Sequence, residues 1–124
     1  MKYDIIHVED NEEERRFVGE AAARQNLTYL GLSCLQALEN SLPNSSARIF
    51  VIDGKFPVDD GGIIERNASR AIAAIRLPYP QARMVLYSSE MDIDTLAGGL
   101  GVDHRSKSKF TARGLVTELV TILK

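Results

Sequence analysis

Three acidic residues, Glu9, Asp10 and Asp53, are the first candidates for chemistry in this sequence. Glu9 and Asp10 follow the apolar run at residues 3–8, and Asp53 ends the apolar run at residues 47–53. If these runs are neighbouring parallel strands, their carboxylates meet at the edge where both strands end. Carboxylates at such short distances from one another raise each other's pKa unless a cation lies among them. We therefore expect a hard divalent ion with oxygen ligands, Mg²⁺ with several waters retained.

A hydroxyl and an ammonium group could complete such a site. Ser88 and Ser89 follow the apolar run RMVLY, and Lys107 and Lys109 come after a presumed fifth strand. Carboxylates, a metal ion, a hydroxyl and a lysine together suit the acceptance of a phosphoryl group. That transfer depends mainly on charge neutralisation and positioning.

The apolar runs that lead to these residues predict the elements of the fold. Runs at 3–8, 27–32, 47–53 and 83–88 are short and rich in β-branched or aromatic residues, as strands buried on both faces should be. Helical patterns lie between them, and a weak fifth strand follows Gly101. This alternation predicts a parallel sheet with helices on both faces. Ligands of such sheets bind beyond the carboxyl ends of the strands.

Apolar residues at helical spacing predict where the helices lie. In the third helix the spacing runs from Ile64 through Ala68 and Ile72 to Ile75. The last helix follows Thr111, whose hydroxyl suits an N-cap. Both patterns predict one apolar side facing the sheet.

Length, charge and cysteine content limit the class of protein. The 124 residues, 44% of them apolar, can form one domain over residues 1–124, and the net charge of -2 makes nucleic acid an unlikely main partner. Cys34 is the single cysteine, so an internal disulfide is excluded, and we expect it to be a small packed residue of a helix. No apolar run approaches the roughly 18 residues that span a bilayer. We expect a cytoplasmic protein with no membrane partner.

Two motifs give the chain a resemblance to a known family. VEDNEEE is similar to the acidic pair and first helix of the receiver domain of two-component response regulators, and VIDGKFPVDDG is similar to its phosphoacceptor motif. In the second motif, Pro57 is the fourth residue after Asp53, and Asp60 and Gly61 follow. The resemblance covers essentially the whole chain. It implies a flavodoxin-like (CheY-like) doubly wound α/β fold, with five parallel strands in the order 2-1-3-4-5.

The resemblance also implies a role for each matching residue. Asp53 would accept the phosphoryl group, and Asp10 and Asp53 would bind Mg²⁺ directly, with Glu9 acting through a water. The backbone carbonyl of Lys55 would complete the metal ligands. The hydroxyl of Ser88 would contact the phosphoryl oxygens. Its movement toward them would lead to repacking of the face formed by the fourth helix, fifth strand and fifth helix.

The sequence departs from the family's pattern around the fifth strand. In GVDHRSKSKF the phosphate-facing lysine should fall near Ser108, which is a serine, so Lys107 is favoured and Lys109 is its rival. His104 or Arg105 stands where an aromatic residue is usual. A strand with these charges should be a short edge strand. The segment at residues 61–81 is also longer than usual, which we assign to the third helix or to the loop LPYPQ after it.

These features predict a domain that takes a phosphoryl group from a phosphohistidine of a sensor histidine kinase or histidine phosphotransfer protein onto Asp53. It would act as a signalling domain that assists its own phosphorylation, not as a turnover enzyme, and its downstream target is open. The alternative is a pseudo-receiver that binds proteins without phosphorylation. A metal-dependent phosphatase is disfavoured, because Lys55 stands where a second catalytic aspartate would be needed.

Several of these residues also have simpler interpretations. The run Glu12–Glu14 is typical of a helix N-terminus, where the macrodipole favours negative charge. His7 lies in an apolar strand, which is more typical of a packed residue than of a metal ligand. A basic cluster after Gly101 could be a solvated surface or could bind an acidic partner. Its members are His104, Arg105, Lys107, Lys109 and Arg113.

Overall fold

The structure is a computed structural model, and it describes residues 1–123. Five strands alternate with five helices along the chain. The strands are β1 (Lys2–Val8), β2 (Tyr29–Leu32), β3 (Ser46–Ile52), β4 (Met84–Ser88) and β5 (Asp103–Ser106). The helices are α1 (Glu12–Arg24), α2 (Leu35–Ser41), α3 (Ala68–Arg76), α4 (Ile93–Leu100) and α5 (Ala112–Leu123).

The strands form one parallel sheet in the order β2-β1-β3-β4-β5. This order confirms the predicted flavodoxin-like fold. The order reverses between β1 and β3, so the carboxyl ends of these neighbours border the crevice where ligands of such sheets bind. The edge position of the four-residue β5 agrees with the prediction from its charges.

The sheet is covered on both faces because successive strand side chains point to opposite sides. One face packs against α1 and α5, and the other packs against α2, α3 and α4. The first core contains Ile5, Ile49, Val51, Val85, Val18, Ala22, Leu115 and Leu119. The second contains Ile6, Val8, Phe50, Ile52, Leu86, Leu38, Ile72, Ile75 and Ala97. Two apolar layers therefore fix the strands whose ends carry the polar residues.

The third helix begins later than its apolar spacing predicts. It starts at Ala68, and Ile64 lies before it with 54% of its surface exposed. Phe56 and Glu65 form an isolated antiparallel bridge, and Asn67 Nδ2 donates a hydrogen bond to the Phe56 carbonyl oxygen at 2.8 Å. These contacts hold the segment before the helix extended. The segment at residues 61–81 therefore divides into a non-helical stretch, the nine-residue α3 and the LPYPQ loop. Which of these holds the additional length stays a prediction.

Cys34 is buried, as predicted, but it precedes α2 instead of lying within it. Its Sγ accepts a hydrogen bond from the Ala37 backbone N–H at 3.4 Å, so it caps the helix. Thr111 caps α5 in the predicted way, accepting a hydrogen bond from the Gly114 N–H at 3.1 Å. Within residues 1–123, no helix has the length and apolarity needed to cross a membrane.

Candidate functional site

An acidic cluster of Glu9, Asp10 and Asp53 lies at the carboxyl edge of the sheet. Val8 pairs with Ile52 in the ladder between β1 and β3, and the Asp53 N–H donates to the Val8 carbonyl oxygen at 3.0 Å. This register places the residues that follow β1 beside the residue that follows β3. Carboxylate oxygens of all three residues lie within 4.8 Å of one another. The expected convergence of these side chains is therefore present.

Lys107 is the cation that faces the acidic cluster. Its N–H donates to the Ser88 carbonyl oxygen at 2.9 Å, which continues the pairing of β4 with β5 beyond Ser106. Its Nζ donates to Glu9 Oε1 at 2.6 Å and to Glu14 Oε2 at 2.7 Å, and lies 3.6 Å from Asp53 Oδ1. The structure thus brings Lys107 to Asp53.

Lys109, the rival of Lys107, is exposed to solvent. Its backbone N–H donates to the Ser106 carbonyl oxygen at 3.1 Å, within the turn that leads to α5. This turn separates it from the strand end that positions Lys107. The structure does not bring Lys109 into the acidic cluster.

Glu14 is the member of the site that the sequence analysis missed. The sequence interpretation assigned the run Glu12–Glu14 to the helix macrodipole. Asn11 caps α1 by accepting from the Glu14 N–H at 3.0 Å, which fixes the first turn of the helix beside the cluster. Glu14 lies in the first turn of α1, whereas Glu9 and Asp10 precede the helix, so helical spacing does not relate them. The sequence carried no local signal for the place of Glu14 in the cluster.

Burial and mutual repulsion raise the pKa values of two members of the cluster. Burial raises the pKa of Glu9 to about 9, assisted by its hydrogen bond with Glu14 and by the charge of Asp53. Burial also raises the pKa of Asp53, while the Lys107 ammonium opposes the shift. The neighbouring Glu9 carboxyl group, together with the Lys107 ammonium, lowers the pKa of Glu14.

Lys107 remains charged in this environment. Burial by itself lowers the pKa of Lys107, but Asp53, Glu14 and Glu9 outweigh burial and raise it above the ordinary value. Only the Lys107 ammonium, among the groups described above, balances four neighbouring carboxyl groups, which are those of Glu9, Asp10, Glu14 and Asp53. The donor set therefore has an excess of hard, anionic oxygens, which suits a divalent cation such as Mg²⁺.

Ser88 ends β4 at the same edge of the sheet. It is buried, with 2% of its surface exposed, and its Oγ accepts a hydrogen bond from the Glu90 N–H at 3.1 Å. A methyl group built on Gly54, the residue after Asp53, would lie 2.8 Å from this Oγ. The hydroxyl is thus directed toward the chain that follows Asp53, whereas Ser89 is exposed.

The loop after Asp53 is anchored to α2. Leu35 and Gln36 donate their N–H groups to the carbonyl oxygens of Pro57 and Val58, at 3.0 and 2.8 Å. Pro57 is buried, and Asp60 accepts a hydrogen bond from Ser33 Oγ at 3.2 Å. The Lys55 side chain is exposed, and the role of its backbone carbonyl stays a prediction.

His7 is buried, with its Nδ1 2.7 Å from the Tyr29 hydroxyl, and burial lowers its pKa to about 3. It is a packed residue, as expected. The basic residues after Gly101 do not form one surface: Lys107 faces the carboxylates, and Arg105 pairs with Glu118 at 3.2 Å, while His104 is exposed.

Comparison with solved structures gives many matches to receiver domains. A response regulator receiver domain from Methanospirillum hungatei superposes with a TM-score of 0.78 at 12% identity, covering 99% of this chain and 94% of that chain. Chemotaxis response regulator CheY4 of Vibrio cholerae has a TM-score of 0.78 at 13% identity, covering 98% and 99%. The receiver domain of an HD domain-containing protein from Pseudomonas fluorescens has a TM-score of 0.77 at 16% identity, covering 99% and 95%.

Sequence comparison adds nothing to these structural matches. No protein-family model matches the chain, and no curated protein matches it by sequence. The identities to the solved structures are low, so the similarity concerns the fold. The chain has the CheY-like fold of response regulator receiver domains.

Proposed function

We propose that the chain is a phosphoacceptor signalling domain of a two-component phosphorelay, with Asp53 as the phosphorylated residue. The observation that carries the proposal is the acidic cluster of Glu9, Asp10 and Asp53 with Lys107 at 3.6 Å from Asp53. The receiver fold supports it, since the cluster lies at the sheet edge where such folds bind ligands. A cytoplasmic location belongs to the same proposal.

The donor would be a phosphohistidine of a sensor histidine kinase or histidine phosphotransfer protein. An Asp53 carboxylate oxygen forms the new bond to phosphorus while the bond from phosphorus to the donor imidazole nitrogen breaks. The bonding electron pair returns to that nitrogen, so the products are an aspartyl phosphate and a free imidazole. Asp53 acts as the nucleophile, as in other covalent phosphoryl intermediates.

The other residues of the site would neutralise and position the transferred group. Lys107 Nζ is close enough to Asp53 to meet an oxygen of the phosphoryl group, and the Ser88 hydroxyl can donate to another. Glu9, Asp10, Asp53 and the Lys55 carbonyl would hold Mg²⁺. When bound, this ion would neutralise charge on the phosphoryl oxygens. The domain assists its own modification and is not a turnover enzyme.

The proposal predicts that wild-type protein takes up a phosphoryl group from acetyl phosphate in the presence of Mg²⁺. The product should show an acid-stable, base-labile mass increase by intact-protein mass spectrometry. Asp53→Asn should show none, because an amide cannot act as the nucleophile. The matched control is Asp60→Asn, in the same loop but bound to Ser33, and it should be labelled like wild type. Equal labelling of wild type and Asp53→Asn would contradict the proposal.

A second candidate function is a pseudo-receiver that binds a partner protein without phosphorylation. The observation in its favour is β5, where the exposed His104 or the partly buried Arg105 stands in place of the expected aromatic residue. Absence of any labelling, and absence of amide NMR changes near Ser88 with beryllofluoride, would favour this candidate.

A further inference from the structure

Glu90 has an unusual environment for a carboxylate near the surface. Only 10% of its side chain is exposed, and both carboxylate oxygens are buried. Neither oxygen finds a hydrogen-bond donor among residues 1–123. Burying an ionised group without hydrogen bonds is unfavourable, so this position must be maintained by other contacts.

The Glu90 carboxylate lies where the backbone passes from Asp53 into the following loop. A methyl group built on Gly54 would lie 2.5 Å from Glu90 Oε1 and 2.8 Å from Ser88 Oγ. The carboxylate and the hydroxyl therefore approach the same side of Gly54. Glycine at this position leaves the space that the carboxylate fills.

Arg66 supplies the contact that holds Glu90 inward. Its Nη2 lies 2.9 Å from Glu90 Oε2, without the alignment of a hydrogen bond, and its Nη1 donates to Asp92 Oδ2 at 3.4 Å. Arg66 belongs to the long connection before α3, whereas Glu90 and Asp92 belong to the loop after β4. One guanidinium thus joins the two loops beside the acidic cluster.

We propose that Glu90 is an internal anion that blocks the space for the incoming phosphoryl group, and that Arg66 is the latch that retains it there. This inference rests on the proposed function. A phosphoryl group on Asp53 that contacts the Ser88 hydroxyl must approach Gly54, where the Glu90 carboxylate lies. Both groups are anionic, so they repel one another as well as compete for space. Phosphorylation therefore requires Glu90 to turn outward and break its pair with Arg66.

Removing either member of the pair tests this inference. Glu90→Ala opens the space, and Glu90→Gln removes the charge at nearly constant volume. Both should be phosphorylated by acetyl phosphate and Mg²⁺ about tenfold faster than wild type, because one nearby negative charge is gone. Both should also bind beryllofluoride more tightly, measured at equilibrium by amide NMR. If neither variant, folded by circular dichroism, differs from wild type, the inference is wrong.

Arg66→Ala distinguishes a latch from an anion-binding residue. Without the Arg66 guanidinium, the Glu90 carboxylate should rotate outward into solvent. Arg66→Ala should therefore also react faster than wild type. In the Glu90→Ala background the same change should have no effect, since there is nothing left to hold. If Arg66 instead attracts the phosphoryl group, its removal slows the reaction in both backgrounds, which would overturn the proposed latch.

The control variants separate this inference from the proposed function. Asp94→Asn removes an exposed acid of α4 whose carboxylate accepts from the Thr95 N–H, and it should react like wild type. Labelling of wild type with no acceleration in the Glu90 variants overturns the inference alone. Labelling of the Glu90 variants when wild type is silent supports the inference but contradicts the expected labelling of wild type. Silence in every protein overturns both.

Discussion

At the scale of single residues, Lys107 sets the charge balance of the site. It contacts two glutamates at hydrogen-bond distance and lies farther from Asp53, so in this state it is shared among several carboxylates. Lys107 has only 13% of its side chain exposed, and its pairs are therefore less screened by water than surface ion pairs.

Replacing Lys107 should slow phosphorylation, whereas replacing Lys109 should leave its rate unchanged. Lys107→Ala should slow phosphorylation by acetyl phosphate about a hundredfold or more, because a preorganised cation at the developing charge is lost. Lys109→Ala, which changes an exposed side chain next to the same turn, should leave the rate unchanged. The measurement is the rate of mass increase at saturating Mg²⁺. A slow Lys109 variant with a normal Lys107 variant would reverse the assignment.

Some of the site residues could be predicted because they are the ends of strands. Glu9, Asp10 and Asp53 converge as a direct consequence of parallel pairing, which the apolar runs predict. The positions of Glu14 and Glu90 depend on the directions of side chains from a helix turn and a loop. Those directions are fixed by tertiary contacts that no local pattern encodes.

At the scale of elements, α5 is fixed at both ends by polar contacts. Thr111 caps its first turn, and the guanidinium groups of Arg48 and Arg83 donate to the carbonyl oxygens of Leu123 and Ile122 at 2.8 and 2.6 Å. These bonds satisfy groups that a helix leaves unpaired at its ends. The apolar residues of α5 then remain seated on the sheet beside α1.

Thr111→Ala should therefore destabilise the domain by about 1 kcal/mol, because the Gly114 N–H loses its capping partner. The measurement is the free energy of unfolding from urea denaturation. Thr121→Ala is the matched control, since the Thr121 hydroxyl donates to a carbonyl oxygen within the helix and caps nothing. Equal losses in the two variants would show that the cap contributes nothing specific.

The elements themselves follow the apolar patterns closely, with two exceptions. The first four strands begin and end within two residues of the runs that predict them. The expectation that all four are buried on both faces is wrong for β2, which is an edge strand with three of its four residues only partly buried. The predicted start of α3 was too early, because Ile64 fits the helical spacing but lies before the helix, which begins at Ala68. The bridge between Phe56 and Glu65 binds this segment in an extended form, and such non-local pairing overrides helical spacing.

At the scale of the whole molecule, the buried acidic cluster makes the stability of the domain depend on pH. Glu9 has its pKa raised from 4.5 to about 9 in the folded protein. A carboxyl group with a raised pKa binds more protons when folded than when unfolded. Its contribution to the free energy of unfolding is therefore largest at low pH and declines as the pH rises through this window.

Metal-free wild-type protein should accordingly lose stability between pH 5 and pH 8 relative to Glu9→Gln, whose side chain does not titrate. Added Mg²⁺ should raise the melting temperature of wild type more at pH 8 than at pH 5, because protons compete with the metal for Glu9. Thermal unfolding followed by circular dichroism measures both effects. Parallel pH profiles for the two proteins would contradict this account.

Lys107 follows β5 directly, and β5 is an edge strand of only four residues. The Lys107 backbone N–H donates to the Ser88 carbonyl oxygen. Loss of this hydrogen bond at the edge of the sheet would move the ammonium away from the carboxylates. The Lys107 ammonium can therefore neutralise the carboxylates only while this end of β5 stays hydrogen-bonded to β4. Deuterium uptake at the Lys107 amide measures how readily that hydrogen bond opens.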